Sequence, residues 1–212
     1  LKRFSELIDK CALVLISDYN KGLLTPKFLS EMIHLARKKN IPVFVDPKGH
    51  DFSKYRGATL LTPNRKEALR AARIDTISDG NLRTAGRSLV KSLDLEALVL
   101  TRSEEGMTLF LRDQEVDLPT RAREVYDVSG AGDTVLSVLG AVFAAGLSLL
   151  EAATVANIAA GVVVGKVGTS TVFPGEILGA ANPRILGVDG KVRSLNQLQG
   201  LVAEAKANGR TV

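Results

Sequence analysis

Short apolar runs alternate with amphipathic segments through the first half of the chain, and this alternation most constrains the fold. Strands are predicted at 12–16, 43–45, 59–62 and 97–101, and helices between them at 26–40, 64–73 and 81–92. The predicted strands are apolar on both faces, which is typical of parallel strands that helices cover on both sides. The pattern therefore predicts an α/β fold, a three-layer sandwich with a largely parallel sheet.

The second half begins with a predicted hairpin and continues into two apolar helices. The hairpin strands are predicted at 107–111 and 115–118, one more strand near 124–126, and the helices at 131–145 and 149–167. The sequence is uncharged over 134–150 and over 152–165, but Gly146 and Glu151 interrupt the apolar stretch. These interruptions favour a buried helix pair over a membrane span, so no membrane partner is expected.

Charge and aromatic content limit the class of ligand. Lysine and arginine number 28 against 23 aspartates and glutamates, a net charge of +5 that suits a small phosphorylated ligand at least as well as nucleic acid. Aromatic residues make up 5% and the sequence has no tryptophan, which argues against a base-stacking platform and a nucleic-acid partner. The single cysteine, Cys11, excludes a disulfide scaffold and predicts a cytoplasmic protein.

The strongest local motif is the sequence DVSGAGDT at 127–134, between a predicted strand and a long predicted helix. Gly130 and Gly132 let the backbone turn sharply and approach a ligand closely. The free N–H groups and the dipole of the following helix favour an oxyanion such as a phosphoryl group. Asp133 at the helix entrance can accept a proton from an attacking hydroxyl. The alternative is a glycine-rich turn in which Asp133 only caps the helix.

A second motif, TPNRKE at 62–67, directly follows a predicted buried strand. Asn64 and Glu67 are three residues apart, so both face the same space from the first helical turn. An amide and a carboxylate in that arrangement can hold a hydrated Mg²⁺. Taken alone, the motif favours the alternative, a capping box in which Asn64 and Glu67 satisfy each other's backbone donors.

Polar residues also follow the other predicted strands. They are Asp18 and Lys21 after the first, Asp46 and Lys48 after the second, and Arg102, Glu104 and Gly106 after the fourth. Any one of these loops is typical of a solvated surface. Ligands of open α/β sheets bind at the carboxyl ends of the strands, so the loops together indicate a site there.

These motifs resemble those of the ribokinase-like (PfkB) carbohydrate kinases over residues 10–175. The sequence DVSGAGD at 127–133 is similar to the family's C-terminal signature, and NRKE at 64–67 is similar to its metal and phosphate motif. The sequences SDYNKG, VDPKG and LLTPN most resemble the heptose phosphate kinases that are joined to an adenylyltransferase. The resemblance implies transfer of a phosphoryl group from ATP to a sugar phosphate, specifically to a heptose 7-phosphate during synthesis of lipopolysaccharide core precursors. Two alternatives stay open: a kinase for ribose, fructose phosphate or a nucleoside, and a non-catalytic nucleotide-binding or dimerising fragment.

The resemblance also implies a role for individual residues. Asp133 would be the catalytic base, and Gly130, Ala131 and Gly132 would form the anion hole. ATP phosphates and Mg²⁺ would meet Asn64, Arg65, Lys66 and Glu67, while the rest of the nucleotide would lie near Thr101, Arg102, Glu104, Gly106 and Asn157. A monovalent cation such as K⁺ would bind Asp127 and Ser129. The substrate or its phosphate would lie near Asp18, Lys21 and Lys48.

The chain departs from the family at its N-terminal side. The family's Gly-Gly sugar-binding motif, first strands and lid have no counterpart in this sequence. We therefore expect residues 1–180 to be the C-terminal portion of a kinase domain, inactive or weakly active alone. Residues 181–212, with a predicted helix at 194–209, would connect to an adenylyltransferase domain. A sheet lacking its first strands would expose an edge, which predicts a homo-oligomer.

Overall fold

The computed structural model describes residues 1–120 and 126–181, and within them six strands form a single sheet. The strands lie in sequential order and are β1 (Val14–Ser17), β2 (Val43–Asp46), β3 (Leu60–Leu61), β4 (Ala97–Thr101), β5 (Met107–Leu111) and β6 (Glu115–Leu118). Strands β1 to β4 pair in parallel, whereas β5 and β6 form an antiparallel hairpin. The predicted sheet and hairpin are therefore confirmed.

The described residues also form seven α-helices. They are α1 (Lys2–Leu7), α2 (Pro26–Lys38), α3 (Arg65–Ala71), α4 (Asp79–Ser92), α5 (Ala131–Ala144), α6 (Leu149–Val164) and α7 (Pro174–Ala181). Helices α1 and α7 are absent from the prediction, and Gly175 and Gly179 explain the absence of α7 because glycine disfavours helix interiors. The chain divides into compact units at 1–172 and 173–212, and α7 belongs to the second.

Two predicted elements fall wholly or partly on residues outside this description. The helix predicted at 194–209 lies outside the described residues. Of the strand predicted near 124–126, only Tyr126 is described, and it lies in a bend.

The sheet is covered on both faces, which confirms the three-layer sandwich. Along β2, Val43 and Val45 belong to the core on one face, while Phe44 between them belongs to the core on the other. The first core includes residues of α2, α3 and α4, and the second includes residues of α5 and α6. Successive strand residues point to opposite faces, so strands buried on both sides must be apolar throughout.

Strand β1 is less covered than the apolar run at 12–16 predicts. It pairs with β2, and no other described strand lies along its second edge. Leu15 is 42% exposed, although its side chain reaches α5, where a Cβ added at Gly140 would collide with it. The predicted exposed edge is thus present within the described residues.

The carboxyl ends of the parallel strands β1 to β4 lie together along one edge of the sheet, which is not the open side of β1. Four connecting loops begin at this carboxyl edge, and most of the predicted site residues lie there. Side chains cap four of the helices at their N-termini, and the capping residues are Thr25, Asn64, Ser78 and Ser148. None of the described helices is both long and apolar enough to cross a membrane.

Candidate active site

Asp133 lies in the first turn of α5 and faces the loop that follows β1. The Ser17 hydroxyl donates a hydrogen bond to Asp133 Oδ1 at 3.2 Å, and the Tyr19 hydroxyl donates to Oδ2 at 2.9 Å. These bonds join the glycine-rich turn to the end of β1, more than a hundred residues away in the chain. Ser17 and Tyr19 are not among the predicted site residues, and their alternation with Asp18 in the sequence is the signal that could have indicated them.

The N-terminus of α5 is open, unlike those of α2, α3, α4 and α6. Gly130 occupies the N-cap position with φ +79°, a left-handed conformation that favours glycine, and no side chain of the described residues caps the helix. The Ala131 N–H donates to the Val128 carbonyl, but among the described residues the N–H groups of Gly132 and Asp133 have no acceptor. The helix therefore presents free donors and its positive dipole end at the sheet edge.

The structure does not support the alternative in which Asp133 only caps α5. Gly130 holds the cap position, and the two oxygens of Asp133 accept from hydroxyl groups of another element. Directly before the helix, the Ser129 N–H donates to Asp127 Oδ1 at 2.8 Å. That bond holds the pKa of Asp127 below its usual value, so the exposed carboxylate beside this turn is ionised.

The first turn of α3 contains the complete capping box that the alternative reading predicted. The Glu67 N–H donates to Asn64 Oδ1 at 3.0 Å, and the Asn64 N–H donates to Glu67 Oε2 at 2.9 Å. The second oxygen of Glu67 accepts a hydrogen bond from Lys48 Nζ. Both oxygens of Glu67 thus have protein partners, and each keeps a lone pair for a further ligand such as a water molecule bound to Mg²⁺.

Asp46, the last residue of β2, lies within the electrostatic range of both first turns. Burial raises its pKa to about 6 against the opposing effect of Lys48, and the negative charges of Glu67 and Asp133 add to the rise. Burial alone would lower the pKa of Lys48, but its bond to Glu67 and the charge of Asp46 raise it. The Lys48 ammonium therefore lies close to two carboxyl groups, those of Asp46 and Glu67.

This cluster suits a metal–phosphate complex better than a bare metal ion. Carboxylate oxygens are the ligands that Mg²⁺ prefers, and Asp46 and Glu67 supply them. In the described residues, however, no group of three His, Cys, Asp or Glu side chains is placed to hold an ion by itself. Phosphate oxygens and water would have to complete the coordination, as is usual for Mg²⁺ in phosphoryl-transfer sites.

Asp18 lies beneath the site rather than open to it. Its carboxylate is 2% exposed and accepts hydrogen bonds from Lys54 Nζ at 2.7 Å, the Tyr55 hydroxyl at 2.5 Å and the Asn20 N–H at 2.7 Å. Burial alone would raise its pKa, but the bonds from Lys54 and Tyr55 outweigh burial and lower it. The Lys48 N–H donates to the same Tyr55 hydroxyl at 3.0 Å, so Asp18 anchors the loop that carries Lys48. Lys21 is exposed in the loop after β1.

The residues predicted near the nucleotide chiefly brace the loop after β4. Arg102 pairs with Asp79 at 2.8 Å, with Asp117 at 3.6 Å and with Glu105, and Arg65 donates to the Arg102 carbonyl. Arg65 also pairs with Glu104 at 3.4 Å and with Glu105 at 2.9 Å. Because α4 supplies Asp79 and β6 supplies Asp117, these arginines connect several elements to one loop.

The remaining predicted nucleotide residues support or border the same loop. Gly106 has φ +89°, and a Cβ there would collide with the Leu118 carbonyl. Asn157 Nδ2 donates to the Pro119 carbonyl at 2.8 Å, which fixes the backbone beside Gly106. The backbone of Thr101 forms a parallel β-bridge with that of Asn64. Lys66, in the first turn of α3, is exposed.

Solved structures similar to this one are sugar kinases. Phosphofructokinase-2 from Escherichia coli, in complex with potassium, matches with a TM-score of 0.74 and 19% identity over 84% of this chain and 60% of that chain. Ribokinase from Arabidopsis thaliana, complexed with ribose and ATP, matches with a TM-score of 0.74 and 20% identity over 85% of this chain and 59% of that chain. At this identity the likeness establishes the fold, which is ribokinase-like.

Sequence comparison gives the family. A family model described as pfkB family carbohydrate kinase matches residues 2–175. The bifunctional proteins HldE of Geobacter sulfurreducens and Geobacter metallireducens are 56% and 54% identical over 205 and 200 residues, which is 96% and 94% of this chain. The chain belongs to the pfkB family of carbohydrate kinases. It spans 42% and 41% of the lengths of those two relatives, which is less than half of each.

Proposed function

We propose that the protein containing this chain transfers the γ-phosphoryl group of ATP to C1 of a heptose 7-phosphate, in the synthesis of lipopolysaccharide core precursors. The observation that carries the proposal is the Asp133 carboxylate at the uncapped N-terminus of α5. The high identity to proteins named HldE supports the heptose substrate. Sugar kinases of the same fold that act on other substrates share far less identity with this chain.

The described residues divide the chemistry between a base and an electrostatic frame. Asp133 would accept the proton of the attacking hydroxyl, and the free N–H groups of Gly132 and Asp133 would stabilise the charge on the transferred phosphoryl group. Lys48 would add a positive charge beside that group. Phosphoryl transfer depends mainly on positioning and electrostatic stabilisation, so these few groups suffice.

Mg²⁺ bound with ATP would neutralise the charge of the phosphate oxygens in this reaction. Glu67, through water, and Asp46 would hold it from the protein side, together with the amide of Asn64. A K⁺ ion would lie beside the turn at Asp127 and Ser129, where Asp127 carries an ionised carboxylate. The potassium complex of the phosphofructokinase-2 neighbour supports such an ion in this fold.

The length of the relatives supports a longer protein of which this chain is one part. In that protein residues 1–180 would belong to the kinase and residues 181–212 would connect it to an adenylyltransferase domain. The open edge of β1 supports association, either with further strands of the same protein or with a second copy. We propose that the assembled protein acts in the cytoplasm as a homo-oligomer.

Phosphorus-31 NMR of the full-length protein with ATP, Mg²⁺ and D-glycero-D-manno-heptose 7-phosphate tests the proposal. We expect a second sugar phosphate resonance, at the anomeric position, together with ADP. Ribose and fructose 6-phosphate under the same conditions serve as competing substrates. A clear preference for either of them would contradict the heptose assignment, and ADP formation without any sugar product would contradict sugar phosphorylation.

A further inference from the structure

The loop after β1 presents two different surfaces on successive residues. Ser17 and Tyr19 direct their hydroxyls to Asp133, at 3.2 Å and 2.9 Å. Asp18, between them, is buried and bonds to Lys54 and Tyr55. This is the alternation expected where a strand continues into a loop, since neighbouring side chains point to opposite faces.

The contacts of Asp18 on the buried face of the loop fix the backbone that carries the exposed residues. Asp18 accepts bonds from two side chains and from the Asn20 N–H, and Asn20 adopts a left-handed conformation with φ +53°. Asparagine tolerates that conformation better than most residues, so the turn is compatible with its sequence. Tyr19 lies between the anchored Asp18 and this turn, which fixes the backbone from which its side chain extends.

The exposed phenol of Tyr19 has a specific partner in spite of its exposure. The residue is 60% exposed, and its ring forms none of the aromatic pairs of the described residues, yet its hydroxyl donates to Asp133 Oδ2. The hydroxyl, rather than the packing of the ring, therefore relates Tyr19 to the site.

An aspartate in the first turn of a helix has several accessible rotamers when it is exposed, as Asp133 is. One hydrogen bond would restrain one oxygen and leave the carboxylate free to swing about it. Separate donors to Oδ1 and Oδ2 restrain both torsions of the side chain. Each carboxylate oxygen has more than one lone pair, so Asp133 keeps acceptor capacity for a third hydroxyl.

We propose that Ser17 and Tyr19 are positioning residues that hold the Asp133 carboxylate in one orientation, with its remaining lone pairs directed at the acceptor hydroxyl. The inference rests on the proposed function in assigning the third hydroxyl to the substrate. Asp18 acts indirectly, because it does not contact Asp133 but anchors the loop that carries both donors. Small losses of alignment between reacting groups are costly, since a displacement of about 1 Å can cost up to ~10²-fold in rate.

The test uses Tyr19→Phe, Ser17→Ala and the double variant in the full-length protein. We expect kcat to fall about tenfold in Tyr19→Phe, as for loss of one hydrogen bond to a charged group, and further in the double variant. The KM for ATP should stay within about twofold, because neither hydroxyl is needed to bind nucleotide. Ser17→Thr keeps the hydroxyl and should restore kcat. Leu23→Ala, at an 82% exposed residue of the same loop, is the control for loop disturbance and should match wild type.

A second readout does not depend on activity. Three-bond J couplings report the rotamer of Asp133, and we expect one rotamer in wild type and averaging in the double variant. Averaging in wild type, or one unchanged rotamer in the double variant, would overturn the positioning role. So would wild-type kcat in the double variant. An inactive wild type with a fixed Asp133 rotamer would instead count against the proposed function and leave the positioning role standing.

Discussion

The first turns of α3 and α5 lie at the same edge of the sheet, follow similar polar motifs and differ in how their backbone donors are satisfied. In α3, Asn64 and Glu67 close the turn with reciprocal hydrogen bonds, and Lys48 occupies the remaining carboxylate oxygen. In α5, Gly130 replaces the capping side chain and leaves the N–H groups of Gly132 and Asp133 without an acceptor among the described residues.

The difference shows that the free N–H groups of a helix N-terminus can either be satisfied by a side-chain cap, which stabilises the fold, or stay available to bind a ligand. A side-chain cap typically stabilises a helix by about 0.5–2 kcal/mol, and α5 forgoes that contribution. Strong packing of α5 against β1, β2 and α6 compensates, because its apolar face includes the fully buried Leu139. The closed turn of α3 can then support the site, and the open turn of α5 keeps free donors for the phosphoryl group that we propose binds there.

The largest effect is expected from Asp133→Asn in the full-length protein. Asparagine keeps the shape of the side chain but cannot take a proton, and general-base catalysis is typically worth about 10²–10⁴-fold. We expect kcat to fall by that factor while the KM for ATP changes little, measured by steady-state kinetics. Circular dichroism confirms that the variant is folded. If more than about a tenth of the wild-type kcat remains, the loss is smaller than general-base catalysis accounts for, and Asp133 is not the base.

Asp46 relates the two turns, because the charges of both Glu67 and Asp133 raise its pKa. The pKa of Asp46 is about 6 in the folded state and near 3.8 in the unfolded state. Between these pH values Asp46 therefore keeps a proton in the folded state that it has lost in the unfolded state. The free energy of unfolding should therefore decrease as the pH rises from about 4 to 6, at about 1.4 kcal/mol per pKa unit and so by at most about 3 kcal/mol. Thermal unfolding at a series of pH values without Mg²⁺ measures this loss.

Asp46→Asn should abolish the decrease and be more stable than wild type at pH 7. The same substitution at Asp113, in the exposed β5–β6 turn, is the matched control and should leave the decrease in place. Glu67→Gln should narrow the pH range of the decrease more than Asp133→Asn does, since the charge of Glu67 raises the pKa of Asp46 more than the charge of Asp133 does. An unchanged pH dependence in Asp46→Asn would exclude Asp46 as its source.

Gly132→Ala and Gly80→Ala compare the open turn with a capped one at equivalent positions. Each glycine is the second residue of its helix, and a Cβ added at either would meet no atom within 4 Å. Alanine should stabilise both helices, by up to about 1 kcal/mol. Only Gly132→Ala should reduce kcat/KM for ATP, at least about tenfold, because its methyl group would displace the bound phosphate. Equal kinetics for the two variants would mean that no phosphate approaches α5 there.

The smallest effect is expected from Glu67→Gln. Glutamine can still accept the Asn64 N–H bond, so the capping box should persist, and the melting temperature should fall only by the loss of the bond from Lys48. Loss of the charge should raise the Mg²⁺ concentration for half-maximal activity several-fold, as for loss of about 1 kcal/mol of interaction. An Mg²⁺ titration of activity measures this shift. A wild-type Mg²⁺ requirement would leave Glu67 with a structural role alone.

Much of the fold was predictable because local signals agree with the tertiary structure. The apolar runs locate β1 to β4 to within about two residues, and the sequences at Thr25 and Ser148 mark the starts of α2 and α6. The missed helices α1 and α7 lack such signals, since no side chain caps α1 and two glycines interrupt α7. The motifs at 64–67 and 127–133 likewise indicated where chemistry would lie, because glycine spacing and helix starts are local properties.

The sequence by itself determined the order of elements, the family and the choice of Asp133 as the candidate base. Only the tertiary structure decided which polar residues face the site. Asp18 and Tyr19 are neighbours in one motif, yet the first is buried as an anchor and the second bonds to Asp133. Likewise, Arg102 follows a strand like Lys48, but acids from α4 and β6 engage it in bracing a loop. Such assignments depend on partners distant in the chain, and local sequence does not specify those partners because folding alone brings them together.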